Sequence, residues 1–363
     1  MMDHLVVYIS GHGYGHAAQT SAVLNCLLHT HPNIKVTICS TLNAAFLRAR
    51  FHFPIDIVDT RSDDLNDFGM EMASAVDTLV EASHRRYTSF HHDWPQHVKQ
   101  ETKRLRALQP SLVVSNVGYL PLQAAAAAGF PAVAMCSLNW RDIYAHYCGA
   151  LPGASRVVDD MEAAYRSGRC FIQFTPHMPM TWLETRRSVG PVAHTGIDRR
   201  AQIAAQHKLG ADAKFWLVSL GGIETNFSID HWPHYENVHY IVPATWCRQR
   251  NDCIAIESLG LPFTDILCSS EVFISKPGYG SFVEAGRHGI PIVYVERLDW
   301  PEAPFLNNWI HAQGRAVSIP RTQLHRGELM EYVLAVTAEA APPLSLPTGN
   351  QEAAAILWEL CRT

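Results

Sequence analysis

The sequence predicts an α/β fold of two domains, each built on a parallel β-sheet covered by helices. Short apolar runs alternate with helix-length segments in the first half of the chain, at 5–9, 35–39, 55–58, 112–115 and 132–136. The second half repeats this alternation at 215–220, 238–242, 271–275 and 290–295. Such alternation is typical of parallel sheets with helices on both faces. A chain of 363 residues is long enough for two domains with separate cores.

The domain boundary is predicted in the segment 184–200, which mixes charged residues with glycine and proline. We expect a first domain over 1–194 and a second over 195–345. Three prolines interrupt the chain between 342 and 347, and a helical pattern begins at about Asn350. The tail 346–363 is therefore expected to form a helix that docks on the first domain.

The composition argues against a nucleic-acid-binding, metal-containing or membrane-spanning protein. The formal net charge is −5 and the pI is near 6.5, and no run of Lys and Arg is longer than a pair, so nucleic acid is not an expected partner. The nine cysteines include no C-x-x-C pair, which predicts buried thiols, a cytoplasmic location and no structural metal. No apolar stretch approaches the roughly 20 residues of a transmembrane helix, and the N-terminus lacks signal-peptide features. The histidine-rich segment 60–108 is predicted to be mostly helical, with solvated histidines.

The first candidate site is the turn "SGHGYGH" at residues 10–16, directly after an apolar strand. Gly11, Gly13 and Gly15 can adopt positive φ angles and allow close approach of a ligand to the backbone. His16 begins the following helix. A neutral imidazole accepts a proton near pH 7, so a general base is one interpretation of His16. A tight strand-to-helix turn with a structural histidine is the alternative.

Two similar turns lie in the second half. In "SKPGYGS", Gly278, Gly280 and Ser281 open a helix whose amides and hydroxyl suit a diphosphate. Glu284 follows one helical turn later and is placed to accept hydrogen bonds from two ribose hydroxyls. The alternative for Glu284 is an exposed helix residue. A third turn, with Gly221 and Gly222, follows the first strand of the second domain.

These motifs carry a family resemblance. The segments "SGHGYGHAAQTSAVLNCL", "LQPSLVVSNVGYLPLQ" and "FISKPGYGSFVEAGRHGIPIVYVERLDWPEAP" resemble the glycosyltransferase-like region of L-arabinokinases. More distantly, the layout is similar to GT-B glycosyltransferases, including the enzyme that makes lipid II. The resemblance implies two Rossmann-like domains with parallel sheets facing across a cleft. The separate kinase domain of arabinokinases does not match any part of this chain, so kinase activity is not expected.

The resemblance also implies roles for particular residues. A nucleotide-sugar donor, here a UDP-sugar, would bind the second domain, and an acceptor of unknown identity the first. His16 matches the histidine that ends the first glycine loop of the lipid II enzyme. The donor-side residues implied are Gly221, Gly222, Gly278, Tyr279, Gly280, Ser281, Glu284, Asp299 and Glu302. The acceptor-side residues are Gly13, Gly15, Asn116, Asn139, Trp140 and Asp142, with a core position as the alternative for Trp140.

The sequence departs from these families in places. Gln19 stands where related loops carry arginine, and that arginine is typical of a UDP-sugar hydrolase with a similar first loop. Ala303 replaces the second glutamate of the arabinokinase pattern, so the donor sugar is not defined. No D-x-D motif is present, which predicts a metal-independent glycosyltransferase without a cofactor. A nucleotide-sugar hydrolase and a non-catalytic sugar-nucleotide-binding protein are the alternatives.

Overall fold

The computed structural model describes residues 3–61, 69–221, 227–344 and 346–362. These form two compact units. The first comprises Met1–Ala73, Asp77–Val192 and Thr348–Thr363, and the second comprises Ser74–Val76 and Ala193–Pro347. The main division after Val192 falls two residues before the predicted boundary.

The first unit contains a seven-stranded sheet in which all strands are parallel. Its strands are β1 (His4–Ile9), β2 (Lys35–Ser40), β3 (Asp56–Asp59), β4 (Leu112–Asn116), β5 (Ala132–Cys136), β6 (Cys170–Phe174) and β7 (Arg186–Val189). Their order across the sheet is β3-β2-β1-β4-β5-β6-β7. Central strands are buried on both faces, which is why β1, β4 and β5 are continuous apolar runs rather than alternating ones.

Eight helices of the described residues cover this sheet. They are α1 (Tyr14–Thr30), α2 (Ala44–Arg50), α3 (Val80–His92), α4 (Trp94–Leu108), α5 (Leu120–Ala128), α6 (Trp140–Cys148), α7 (Ala154–Arg166) and the C-terminal helix 349–361. That last helix packs on α1. Helix α5 ends at Gly129, whose φ of 84° is the left-handed conformation that glycine adopts readily at helix ends.

The second unit contains a six-stranded parallel sheet with the order β10-β9-β8-β11-β12-β13. Its strands are β8 (Lys214–Val218), β9 (Val238–Val242), β10 (Cys253–Ala255), β11 (Val272–Ser275), β12 (Ile292–Val295) and β13 (Ala316–Ile319). Its helices are α8 (Arg200–Gln206), α9 (Phe263–Cys268), α10 (Tyr279–His288), α11 (Ala303–Gln313), α12 (Arg321–Arg326) and α13 (Met330–Ala338), and the C-terminal helix Gly349–Cys361 of the first unit is α14. Short 3₁₀ turns lie at Ala244–Trp246 and Ile256–Ser258.

The structure differs from three expectations about the chain. Strand β7 occupies part of the segment 184–200 that was interpreted as the passage between domains; its first three residues are polar and exposed at the sheet edge, so the sequence shows no strand pattern there. Cys247 and Cys253 form a disulfide, whereas all nine cysteines were expected as thiols. His91 was expected in solvent, but it is buried and its imidazole hydrogen-bonds to Asp160 and Tyr119.

Candidate functional site

Both sheets have a point where the strand order reverses, and the predicted site residues lie there. In the first unit β1 is flanked by β2 and β4, and in the second β8 is flanked by β9 and β11. Chain connections leave in opposite directions from such a pair, so a crevice opens at the carboxyl ends of the two strands, where ligands of doubly wound sheets bind. His16 follows β1, and the loop at Gly278 follows β11.

His16 lies in the first turn of α1 as a buried residue, 8% exposed, and its imidazole contacts the end of β4. Its Nδ1 lies 2.8 Å from Oδ1 of Asn116, and the Asn116 side chain is fully buried. The amide nitrogen of Asn116 donates to Oε1 of Gln19 at 3.1 Å, and Gln19 donates to the hydroxyl of Ser137 at 3.2 Å. The four side chains thus form one buried hydrogen-bonded row.

This row determines which nitrogen of His16 carries the proton. Because the amide NH₂ of Asn116 is directed at Gln19, its carbonyl oxygen faces His16 and can only accept. Nδ1 must therefore be the protonated nitrogen, and Nε2 holds the lone pair. Within the part of the chain that the structure describes, Nε2 has no hydrogen-bond partner. This tautomer leaves the lone pair of Nε2 without a hydrogen-bond donor among the described residues.

The glycines of the first turn do not adopt the positive φ angles that are open to them. Gly13 is extended, with φ 179°, and neither Gly11 nor Gly15 has a positive φ. Gly11 is required for space, because a Cβ there would lie 1.8 Å from Oγ1 of Thr41. A Cβ at Gly13 or Gly15 would meet no atom within 4 Å. The backbone at these two positions therefore borders open space that a ligand can enter.

The other predicted acceptor-side residues have structural contacts. Asn139 caps α6, accepting from the backbone N–H of Asp142 at 2.8 Å and donating to its carboxylate at 2.9 Å. Asp142 also accepts from Nε1 of Trp182 at 2.8 Å. Trp140 is fully buried, and its ring lies 6.0 Å from that of His16. The core interpretation of Trp140 is correct, and an acceptor role for Asn139 and Asp142 stays a prediction.

In the second unit, the glycine turn leads into α10, whose N-terminus has no side-chain cap. Gly278 thus offers no side-chain oxygen to the first-turn amides, and a glycine turn at a helix start is a typical place for phosphate to meet such amides. Gly278, Gly280 and Ser281 are partly exposed, and a Cβ at Gly280 would meet nothing within 4 Å. Tyr279 and Glu284 are buried, with Glu284 6% exposed, so the interpretation of Glu284 as an exposed helix residue is wrong.

The other residues predicted on the donor side lie in different surroundings. Gly221 follows β8 and has a φ of 90°, which requires the left-handed conformation that glycine tolerates best. Gly222 lies outside the described residues. Glu302 is buried at the start of α11 and accepts from Nε1 of Trp300 at 3.3 Å. Asp299 is exposed.

Two cations that the sequence analysis did not select lie among these residues. Lys276 follows β11, and its Nζ would lie 3.8 Å from a Cβ added at Gly221. Arg297 follows β12, is buried, and stacks on Trp300 with the guanidinium carbon 3.9 Å from the ring centroid. Both residues directly follow a strand of a parallel sheet, and this position in the sequence could have identified them as candidate site residues.

The surroundings of Lys276 disfavour its positive charge. Burial and the nearby Arg297 guanidinium lower the pKa of Lys276 to about 8, against a smaller opposing effect of Glu302. Lysine loses charge on burial because the low-dielectric surroundings penalise the ammonium ion. An anion arriving beside Lys276 would restore that charge.

Within the described residues, no group of three or more His, Cys, Asp and Glu side chains could hold a metal ion. None of the described helices is long and apolar enough to cross a membrane.

Comparison with known proteins defines the fold. No protein-family model matches the chain. The chain is 25% identical over 349 residues to L-arabinokinase of Arabidopsis thaliana, a match that covers 91% of this chain and 32% of that protein. The chain thus spans about a third of the length of this curated relative.

Solved structures resemble the whole chain. They include the calicheamicin glycosyltransferase CalG4 (TM-score 0.61, 17% identity, covering 99% of this chain and 98% of that one). Arabidopsis thaliana UGT89C1 complexed with UDP-L-rhamnose is similar at a TM-score of 0.61 and 15% identity, covering 99% and 100% of the two chains. VinC in complex with dTDP is similar at a TM-score of 0.56 and 14% identity, covering 99% and 95%.

The chain has the GT-B fold of two Rossmann-like domains with parallel sheets, as predicted. Its sequence is similar to about a third of an L-arabinokinase, and that resemblance was also predicted.

Proposed function

We propose that this protein is a glycosyltransferase that moves a sugar from a nucleotide-sugar donor, here a UDP-sugar, to a hydroxyl of an acceptor. The observation that carries the proposal is the imidazole of His16, whose Nδ1 contacts Asn116 and whose Nε2 has no hydrogen-bond partner in the described part of the chain. The resemblance to solved glycosyltransferases, several of them complexed with UDP or dTDP, supports this class of reaction.

In the proposed mechanism, the first unit supplies the base and the second unit holds the donor. Nε2 of His16 takes the proton of the acceptor hydroxyl as its oxygen forms a bond to the anomeric carbon. The bond from that carbon to the diphosphate oxygen breaks, and the nucleoside diphosphate leaves. The amides of the α10 N-terminus and Ser281 stabilise the charge on the leaving diphosphate, and Glu284 holds the ribose.

The base assignment is tested with His16→Gln, whose amide can still donate to Asn116. Turnover should fall by roughly 10²–10⁴-fold, while the melting temperature and UDP affinity change little. His29→Gln is the matched control, since His29 is exposed in the last turn of the same helix. A folded, UDP-binding His16→Gln enzyme with full turnover would remove His16 from the mechanism.

The donor assignment is tested with Glu284→Gln and calorimetry. UDP binding should weaken by about 1–3 kcal/mol, the scale of a lost charge-assisted hydrogen bond. Glu296→Gln, an exposed glutamate that follows β12, should bind UDP as the wild type does. Equal affinities for the two variants would contradict the donor site.

Metal independence is a further part of the proposal, because helix amides and lysine can hold a diphosphate without a divalent ion. Transfer should therefore survive excess chelator. Measuring donor consumption with and without candidate acceptors separates transfer from hydrolysis, and no consumption in either case would indicate a binding protein.

A further inference from the structure

Lys276 lies in the second unit, beside the loops that are proposed to hold the diphosphate of the donor. Its side chain runs from the end of β11 to the loop after the adjacent strand β8, so its ammonium group lies against Gly221. Two residues later Gly278 precedes α10 and provides no side-chain cap. The lysine therefore lies at the strand-order reversal of this sheet, between the two loops that border the crevice.

The Lys276 ammonium has no ionic or hydrogen-bonded partner among the described residues. It is densely surrounded by protein atoms yet keeps some contact with solvent, so a ligand can reach it. The charged groups that act on it are Arg297, which opposes its charge, and Glu302, which favours it. Lys276 itself therefore lacks a neutralising partner among the described residues, and an anionic ligand in the crevice would supply one.

We propose that Lys276 is the counter-ion for the diphosphate of the donor, and that donor binding draws a proton onto this lysine. The inference rests on the proposed function and adds a pH dependence to it. In the unliganded protein the amine is partly neutral near pH 8. When a nucleoside diphosphate binds, the amine takes one proton from solvent and becomes an ammonium ion facing the phosphate oxygens.

The direction of the effect follows from linkage. A bound anion favours the charged lysine and so raises its pKa above the value in the free protein. UDP affinity is then fully present below the free-protein pKa and is lost as pH rises through it. A group with a pKa of about 8 is about 90% protonated at pH 7 and about 10% at pH 9. UDP should therefore bind about tenfold more weakly at pH 9 than at pH 7.

Calorimetry on the wild-type full chain tests this directly. Titrations with UDP near pH 8, in two buffers of different ionisation enthalpy, should show uptake of about half a proton per UDP bound. Uridine, which lacks phosphate, should bind without this uptake and corrects for ionisation of the base. UDP binding without proton uptake would overturn the inference.

Three variants assign the effect to this residue. Lys276→Arg keeps its charge and should retain UDP affinity at pH 9. Lys276→Met should bind UDP weakly at both pH values and without proton uptake. Lys214→Met is the matched control, since Lys214 is exposed at the first residue of β8, the opposite end of that strand from the crevice, and should behave as wild type.

The outcomes separate this inference from the proposed function. If wild-type protein does not bind UDP at pH 7, both fail. If UDP binds and Glu284→Gln weakens it, but Lys276→Met binds like wild type, only the role of Lys276 fails.

Discussion

Asn116 gives His16 a neutral hydrogen-bond partner, and this choice of side chain affects the basicity of the imidazole. An amide fixes the tautomer without adding charge, whereas a carboxylate at the same place would stabilise the imidazolium ion. The buried row through Gln19 and Ser137 keeps the amide in one orientation. A substitution at Asn116 should therefore move the pH dependence of catalysis without removing the base.

We expect Asn116→Asp to shift the acid limb of the kcat/KM profile upward by about 1 pH unit, because a carboxylate beside the ring would stabilise the imidazolium ion. Asn43→Asp is the control, since Asn43 caps α2 and aspartate caps equally well. Both variants are compared with wild type by pH–rate profiles, with circular dichroism to verify folding. An unchanged profile in folded Asn116→Asp would show that this contact does not tune the base.

Single residues were predictable where their signal is local. The histidine after β1 and the glycine turn before α10 follow from short patterns at strand ends. The pairing of His16 with Asn116 was not predictable, because it depends on β4 lying beside β1 across a long crossover. Lys276 was missed for a similar reason, since its partner loop follows β8, far away in sequence.

Elements were predicted well when they are apolar and central. Strands β1, β4, β5 and β9 coincide closely with apolar runs. Strands β7, β10 and β13 lie at sheet edges and have only three or four residues, and β7 and β13 also carry polar residues, so their patterns are weak. Strand β6 was not predicted although it is buried throughout. Its apolar run is interrupted by Gln173, whose amide donates to the carbonyl of Met178.

Helix α3 contains a buried histidine that makes stability depend on pH. His91 donates from Nδ1 to Asp160 at 3.0 Å and accepts from the hydroxyl of Tyr119 at 2.8 Å. Burial lowers the pKa of His91, and the Asp160 carboxylate offsets this only in part. The unfolded chain then binds a proton more readily than the folded one, so stability falls as pH drops below the ordinary histidine pKa of about 6.5.

We expect His91→Gln to reduce this acid-side loss, because glutamine can make both hydrogen bonds and does not titrate. Urea unfolding at pH 7.5 and pH 5.5 measures the difference. The exposed neighbour His92 provides the control, and His92→Gln should keep the wild-type slope. If His91→Gln loses as much stability on acidification as wild type does, His91 is not the titrating group.

At the scale of the whole chain, the first unit is discontinuous in sequence. The chain leaves it at Val192, forms the second unit, and returns at Thr348. Helix α14 then packs on α1, with Trp358 stacked on His31 at a centroid distance of 3.7 Å. The carboxylate of Glu352 accepts from the backbone N–H of Gly190 at 2.8 Å, which joins this helix to the end of β7.

The C-terminal helix should therefore contribute to the stability of the first unit rather than the second. Leu357 is fully buried on α14, so Leu357→Ala leaves a cavity and should lower the free energy of unfolding of the first unit by about 2–4 kcal/mol. Leu346→Ala, at a leucine that is 62% exposed, should change it by less than about 0.5 kcal/mol. Hydrogen exchange should show faster exchange in α1 of the Leu357→Ala variant and unchanged exchange in β8 and β11, because α14 packs in the first unit. Equal loss of protection in both sheets would instead show that the two units unfold together and that α14 stabilises the chain as one cooperative body.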